Sequence, residues 1–525
     1  MISLSLITKD NFNKILSDKY NEPDWIAETR KEAITRLSDL PAEVSPLYSK
    51  YTGLGLLKPE KVFFSNVESS NLSEDLESRL NEIKSSPSLL MIGSSVLHAF
   101  VPEYLSKQGL IVSSIQDAFN NYPDLLKKYL KDNSLNYGED RFLALGISAF
   151  QSGFFVYVPK NLVLEEPIRI VYSLKADGIS SICRNIVISD TGSKATIVQE
   201  LYSSVLKRVG GGVPVSAATT TASVDTNENA NIDTPSHSTV SATNTENGSS
   251  ELASGGDTSV VENNVQPCYF EVLECSVKPT AELEFITLQA MDSSTINVSN
   301  RKAFVEQDGK MSWYSGMFGT KLCRYKTDSV MKGPGASSED VEIVFGSEKQ
   351  SFDISSNLDH AGFSSRGKVL VKSIVKDGSK SLFKGMIKIR KNAKASESFL
   401  AGHAILLNKG SIADAIPGLE IETNEVKATH SASVSQIDEE QIFYLMCRGL
   451  DRESAKREIV NGFVEPLSRK MGPFIRAWIS YLFENKWTGK PLVLKADEVM
   501  EQILEVEKSR YKETADIFEK HYKYR

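Results

Sequence analysis

Three stretches decide the fold: KVLVKSIV at 368–375, LFKGMIKI at 382–389 and AILL at 404–407. Each is a short run rich in β-branched and aliphatic residues, and turn signals at Asp377-Gly378, Asn392-Ala393 and Asn408-Lys409-Gly410 punctuate them. Those signals recur every 15 or 16 residues. A strand–turn–strand unit at such a period suits the stacked coils of a β-helix, whose neighbours jointly bury a core that one coil cannot. An antiparallel sandwich meets the same spacing, because the repeat has no strict internal motif. The period favours the solenoid.

The strand texture extends upstream to Gly153, through Phe154–Val158, Ile168–Tyr172 and Ala195–Val198. Before it the pattern is helical. Trp25, Ile26, Thr29, Ala33 and Leu37 follow Pro23 at helical spacing until Pro41, and further helices are expected at Leu76–Ile83 and Ile115–Leu130, the last interrupted by Pro123. After Ile437, Asp438 is an N-cap candidate ahead of Ile442, Leu445 and Met446, which should face the core. A second helix from Arg452 should stop at Asn461-Gly462, and a charged amphipathic one should run from Asp497 to about Tyr522. The chain therefore divides into a mainly helical region at 1–145, a β core at 146–436 and a helical region at 437–525.

Residues 210–264 interrupt that core. No Lys or Arg occurs from Val209 to Gln266, and no aromatic residue lies between Tyr202 and Tyr269. Such a composition cannot offset an ordering entropy of roughly 1 to 2 kcal/mol per residue, so the segment is expected to be a disordered insertion.

The 525 residues include 60 Lys+Arg against 68 Asp+Glu, a formal charge of -8 that offers no excess to neutralise a phosphate backbone. Nucleic acid is excluded as the main partner. No apolar run is long enough to span a bilayer, since Leu89–Val101 is broken by Gly93, Ser94, Ser95 and His98. The N-terminus lacks the basic segment of a signal peptide, and the five cysteines are odd in number and widely spaced, which suits a reducing cytoplasm. Phosphate-loop, G-x-S-x-G, H-E-x-x-H and C-x-x-C motifs are all missing. Scattered Asp353, Asp359 and Asp414 give little support to a polysaccharide-active β-helix. His360, His403 and His430 all fall in the later strands, where stacked coils can bring distant residues to one face as metal or proton-handling ligands. Separate structural imidazoles satisfy the same spacing.

An ordered set of motifs then becomes recognisable. Pro417-Gly-Leu-Glu-Ile421, Asn424-Glu-Val-Lys-Ala-Thr-His430, Ile437–Leu445, Arg448-Gly-Leu450 and Gly462-Phe463 resemble the signature of the SufB/SufD family of iron–sulfur cluster assembly proteins. Upstream, Glu22-Pro-Asp-Trp25 with Arg30 and Ala33, and Phe142–Lys160, resemble the same family, and Trp313, Gly319 and Ser365 also fall in place. The resemblance implies a right-handed parallel β-helix between helical ends. It also implies a non-catalytic scaffold that pairs with its SufB-like paralogue and a SufC-like ATPase, binds no nucleotide itself, and handles a transient iron–sulfur cluster. The cysteine associated with cluster assembly in the B type falls at Gly402 here, whereas His403-Ala-Ile-Leu-Leu407 resembles the D type. A D-type assignment follows, with His360, His403 and His430 as candidate metal ligands and Arg448, Arg452 and Lys456 as the partner-facing cations. Ala428 and Ser431 depart from the family pattern around His430.

Overall fold

A computed structural model describes residues 2–8, 11, 22–43, 48, 51–64, 73–132, 135–174, 178–203, 265–492 and 500–509. The expected insertion at 210–264, and most of the expected final helix, lie outside these.

Two sheets make the core. One has nine strands, from Ile111–Ser114 through Phe154–Val158, Ser181–Ser189, Cys268–Val277, Ile296–Val305, Leu322–Met331, Ser351–His360 and Lys380–Ile389 to Ile412–Ile421. The other has ten, from Ser95–Phe100 through Ser88–Ile92, Ile168–Leu174, Lys194–Ser203, Glu282–Ala290, Lys310–Met317, Ser337–Gly346, Arg366–Val375 and Glu397–Leu406 to Lys427–Gln436. Consecutive strands of the main stack alternate between the sheets, and each pairs in parallel with the strand two before it and the strand two after it. This is a parallel β-helix of about eight turns, and the parallel ladders rule out the antiparallel sandwich. The partners Ser337, Arg366, Glu397 and Lys427 form one continuous row, so a full coil takes about 30 residues and the turn period read in the sequence is half a coil.

The corners explain how a non-repeating sequence holds that register. At one corner a left-handed residue recurs coil after coil, at Thr280, Asp308, Gly335, Ser364 and Ala395, and at the other at Thr320, Glu348, Asp377 and Gly410. Asp377 and Gly410 match the sequence reading. At the middle signal the left-handed position is Ala395, with φ 57°, rather than Asn392-Ala393. A non-glycine residue there carries strain, and stacking compensates: the Ala395 N–H donates to the Glu425 carbonyl of the next coil at 2.7 Å.

Side chains alternate along each strand between the space enclosed by the sheets and their outer faces. Leu283, Phe285, Trp313, Val369 and Leu400 point inward and join the central cluster. Outward residues of the ten-stranded sheet, among them Ile286, Ile343, Phe345 and Ile374, are covered by the helices Arg452–Ser468 and Pro473–Thr488 through Val464, Leu467, Trp478, Leu482 and Phe483. The nine-stranded sheet is covered by the N-terminal helices Asp24–Leu37 and Arg141–Ala149. Asp140 caps the second of these by accepting from the Phe142 and Leu143 N–H groups, and the same carboxylate takes a 2.6 Å bond from Arg324 of the sheet. Buried Arg30 donates to the Ser148 and Phe150 carbonyls at 2.9 and 3.0 Å and pairs with Glu22, so it satisfies the end of that helix.

Two readings change. Residues 88–114, within the region expected to be mainly helical, supply three strands to the same sheets. The helix from Arg452 does not stop at Asn461-Gly462 but runs to Ser468, past Pro466. Its buried Val460, Val464 and Leu467 outweigh a glycine penalty of about 1 kcal/mol.

Candidate functional site

The three histidines do not converge. His360 ends its strand inside the core, fully buried, with Nδ1 2.8 Å from Ser365 Oγ and Nε2 3.0 Å from Ser398 Oγ. Burial pushes its pKa down to about 4, so it is a neutral hydrogen-bonded core residue. His430 is in register with Leu400 and His403 with Ser433. In-register residues of parallel strands share a face, and positions three apart on one strand do not. His430 therefore lies on the interior side of the last strand, where the core opens, and His403 on the outer side. His403 Nδ1 sits 2.7 Å from Ser433 Oγ, and burial, then nearby Lys372, holds its pKa below the ordinary value. Among the described residues no group of three or more His, Cys, Asp or Glu is placed to hold a metal ion.

Gly402 immediately precedes His403 and faces inward. A Cβ added there would stand 2.2 and 2.5 Å from carbons of the Phe383 ring, far inside contact distance. At Gly385, on the strand bearing Phe383, an added Cβ would meet Leu400 at 2.5 Å. The two glycines let Phe383 and Leu400 close the interior, leaving no room for a thiol at 402.

The two ends of the coil stack differ. At the first end the strands Ser95–Phe100 and Ile111–Ser114 run antiparallel to their neighbours. At the last, every residue of Ile412–Ile421 and Lys427–Gln436 is at least partly exposed. Both strands are sheet edges with unpaired backbone groups on one side. Ile412, Leu419, Ile421 and Val434 are exposed there, while Ala415 and Ala428 pack on the core behind.

Next to that end stands the helix Glu439–Met446, capped by Asp438, whose carboxylate accepts from the Glu440 N–H. Ile442 alone is buried; Leu445 is half-buried and Met446 exposed, so the expectation that all three face the core holds for one. A helix of two turns at a rim buries only one side. Its outer side presents Phe443, 68% exposed, and Tyr444, with Arg448 4.4 Å above the Tyr444 ring. Arg452 is exposed but paired with Glu439 at 2.6 Å, and Lys456 with Glu453 at 2.7 Å.

A polar column inside the β-helix escaped the sequence reading. Glu271 takes two bonds from Arg301, at 2.7 and 2.9 Å, and further ones from Asn185, Gln199 and Tyr269. Arg301 continues to Thr287 and Tyr325. Cys183, Cys275 and Cys323 line the same interior, and burial raises all three thiols, Cys183 to about 12. They are protonated and unreactive in the fold. The usable signal was parity: these polar residues occupy the same alternate positions as Leu273, Ala303 and Met331.

The coil stack, its helical flanks and the open end define a parallel β-helix between helical regions. Comparison with known families gives two matches: "SUF system FeS cluster assembly, SufBD core domain" over residues 251–463 and "SufBD protein N-terminal region" over 62–170. The chain belongs to the SufB/SufD family of iron–sulfur cluster assembly proteins. It is 24% identical over 478 residues to an iron–sulfur cluster assembly SufBD family protein of Staphylococcus aureus (strain USA300), covering 88% of this chain and 89% of the relative. A SufBD family protein of Staphylococcus haemolyticus (strain JCSC1435) is 25% identical over 378 residues, covering 72% and 69%. No helix among the described residues is long and apolar enough to cross a membrane.

Proposed function

We propose that the chain is a non-catalytic scaffold subunit of a SUF-type complex in the cytoplasm, taking the SufD position beside a SufB-like paralogue and a SufC-like ATPase. The observation that carries this reading is the open end. Two edge strands and an uncovered apolar core are a liability in an isolated protein. A second β-helix with the same strand spacing supplies both backbone partners and an apolar cap. Phe443, Tyr444 and Arg448 offer the aromatic and arginine anchors that protein interfaces favour, and suit docking of the ATPase, which binds and hydrolyses the nucleotide. Arg452 and Lys456 form the rim of that surface.

The cluster is cargo in this scheme. His430, at the open core, meets the seam with the paralogue and can contribute an imidazole to a cluster whose thiolates come from the partner. His403, on the outer face, serves separately as a ligand or a proton relay on that side of the sheet. His360 has both ring nitrogens engaged and takes a structural role. The alternative, a SufB-like subunit holding the nascent cluster on its own thiolate, is disfavoured by Phe383 occupying the space a residue at 402 would need.

The test is anaerobic co-expression with a paralogue and ATPase from the same genome, followed by sizing and iron and sulfide analysis. A stoichiometric complex is expected. Leu419→Asp with Val434→Asp should abolish pairing while leaving the coil stack folded. Unchanged pairing in that variant would overturn the docking mode, and failure to co-purify with either partner would overturn the scaffold reading.

A further inference from the structure

Inside the coils the strands carry four charged side chains: Glu271, Arg301, Asp340 and Glu342. The first two neutralise one another and are hydrogen-bonded on every side. The other two sit two residues apart on Ser337–Gly346, both inward and both buried. Among the described residues neither carboxyl has an ion-pair partner, and the nearest cation, Arg301, is already committed to Glu271. Trp313, in register with Asp340 on the coil before, gives its indole N–H to Ser329 at 3.1 Å, and Ser315, in register with Glu342, bonds to Tyr325. On the coil after, the in-register residues are Val369 and Val371. Across the core, Thr327 reaches Glu342 only at 3.5 Å. Asp340 Oδ1, Glu342 Oε2 and Ser356 Oγ are all buried, and the Ser356 hydroxyl is close enough to act on both carboxyls.

Two ionised carboxylates here would leave the interior with an uncompensated charge of two, which a low-dielectric interior strongly disfavours. Among the described residues no third carboxylate, histidine or cysteine joins the two to make a metal site. We infer that Asp340 and Glu342 are a protonated carboxylic acid pair with the Ser356 hydroxyl between them, and that loss of these protons loosens the coil stack around Ser337–Gly346. The pair thereby makes the integrity of the scaffold depend on pH.

The groups facing it are few. Arg301 and Tyr325 approach from the preceding coils, Cys323 lies beyond Glu342, and Glu339 stands on the outer face of the same strand. Burial raises both carboxyls well above the ordinary range, and for Asp340 the neighbouring Glu342 adds to it; the Ser356 hydroxyl and then Arg301 oppose without reversing the direction. The folded chain therefore holds protons that the unfolded chain releases above about pH 4. Stability present at acidic pH falls as pH rises from that value through the raised values. The folded-to-unfolded ratio drops up to tenfold per pH unit for each retained proton.

The direct test is infrared spectroscopy of the whole protein with 13C-labelled aspartate and glutamate. A carbonyl band of buried protonated carboxyl should persist at pH 7 and convert to carboxylate at higher pH. This readout needs no variant to fold. Glu342→Gln and Asp340→Asn should each remove part of the band and flatten the decline in stability between pH 6 and 9. Absence of the protonated band at pH 7, an unchanged slope in both variants, or a stoichiometric divalent cation found on the purified protein and needed for its stability would each overturn the inference.

Discussion

Placing a thiol at position 402 tests the packing that closes the coil interior around Phe383. In Gly402→Cys the new Cβ would lie 2.2, 2.5 and 3.3 Å from three carbons of the Phe383 ring. Carbon–carbon contacts settle at about 3.5 to 4.0 Å, so the ring must retreat by more than an ångström, and the sulfur asks for further room. The ring has little space to move into, because a Cβ at Gly385 would already be 2.9 Å from Phe383 Cζ. Overpacking of this kind costs about 1 to 3 kcal/mol. The assay is urea denaturation of the parent, Gly402→Cys, Phe383→Leu and the double variant. Phe383→Leu alone should destabilise by about 1 kcal/mol, yet in the Gly402→Cys background it should restore stability, giving a coupling energy of at least about 1 kcal/mol. Full stability in Gly402→Cys, or no rescue by Phe383→Leu, would refute the claim that this ring excludes a residue at 402.

Lys486, buried where helix Pro473–Thr488 meets the corners that follow the ten-stranded sheet, donates to the Phe318 carbonyl at 2.6 Å and to Gln350, and burial pushes its pKa down to about 7. Between that value and the ordinary 10.5 the unfolded chain binds more protons, so this residue makes stability rise with pH across the window. Lys486→Met should remove that rise, measured as the change in unfolding free energy between pH 7 and 9. Of the five thiols, Cys447 is exposed and Cys183, Cys268, Cys275 and Cys323 are buried. Mass spectrometry after alkylation of the native protein should find one modified cysteine, and five after unfolding; early labelling of Cys275 would contradict the sealed interior.

The sequence carried the coil but not its contents. Turn signals around 377 and 408 survive because corner residues must adopt left-handed or tight conformations that few residue types tolerate. Ser88–Ile92 went unread as a strand because it is buried throughout, with no polar alternation to mark it. Helix Arg452–Ser468 outran its stop signal because tertiary burial outweighs local propensity. The histidines show a different limit. Their spacing was visible, but whether positions 400 and 403 share a face depends on strand register, which no local pattern states. Glu271, Arg301 and Glu342 were invisible for the opposite reason: polar residues at alternate positions ordinarily mark a solvated face, and here that face is the interior.

The pairing register also says something about where the fold tolerates growth. The chain leaves the ten-stranded sheet at Ser203 and is back at Cys268 on the other sheet, where Tyr269 pairs with Ser181; when it returns to the ten-stranded sheet Glu282 pairs with Lys194, as though no residues intervened. Each coil takes its alignment from the coils on either side rather than from the length of its own corner. Lengthening such a corner from about five residues to about sixty adds only about 2 kcal/mol of closure entropy, since that cost grows with the logarithm of length. Corners of a solenoid are thus sites where a lineage can splice in whole new segments without renegotiating the architecture, whereas one extra residue inside a strand would turn every following side chain to the wrong face.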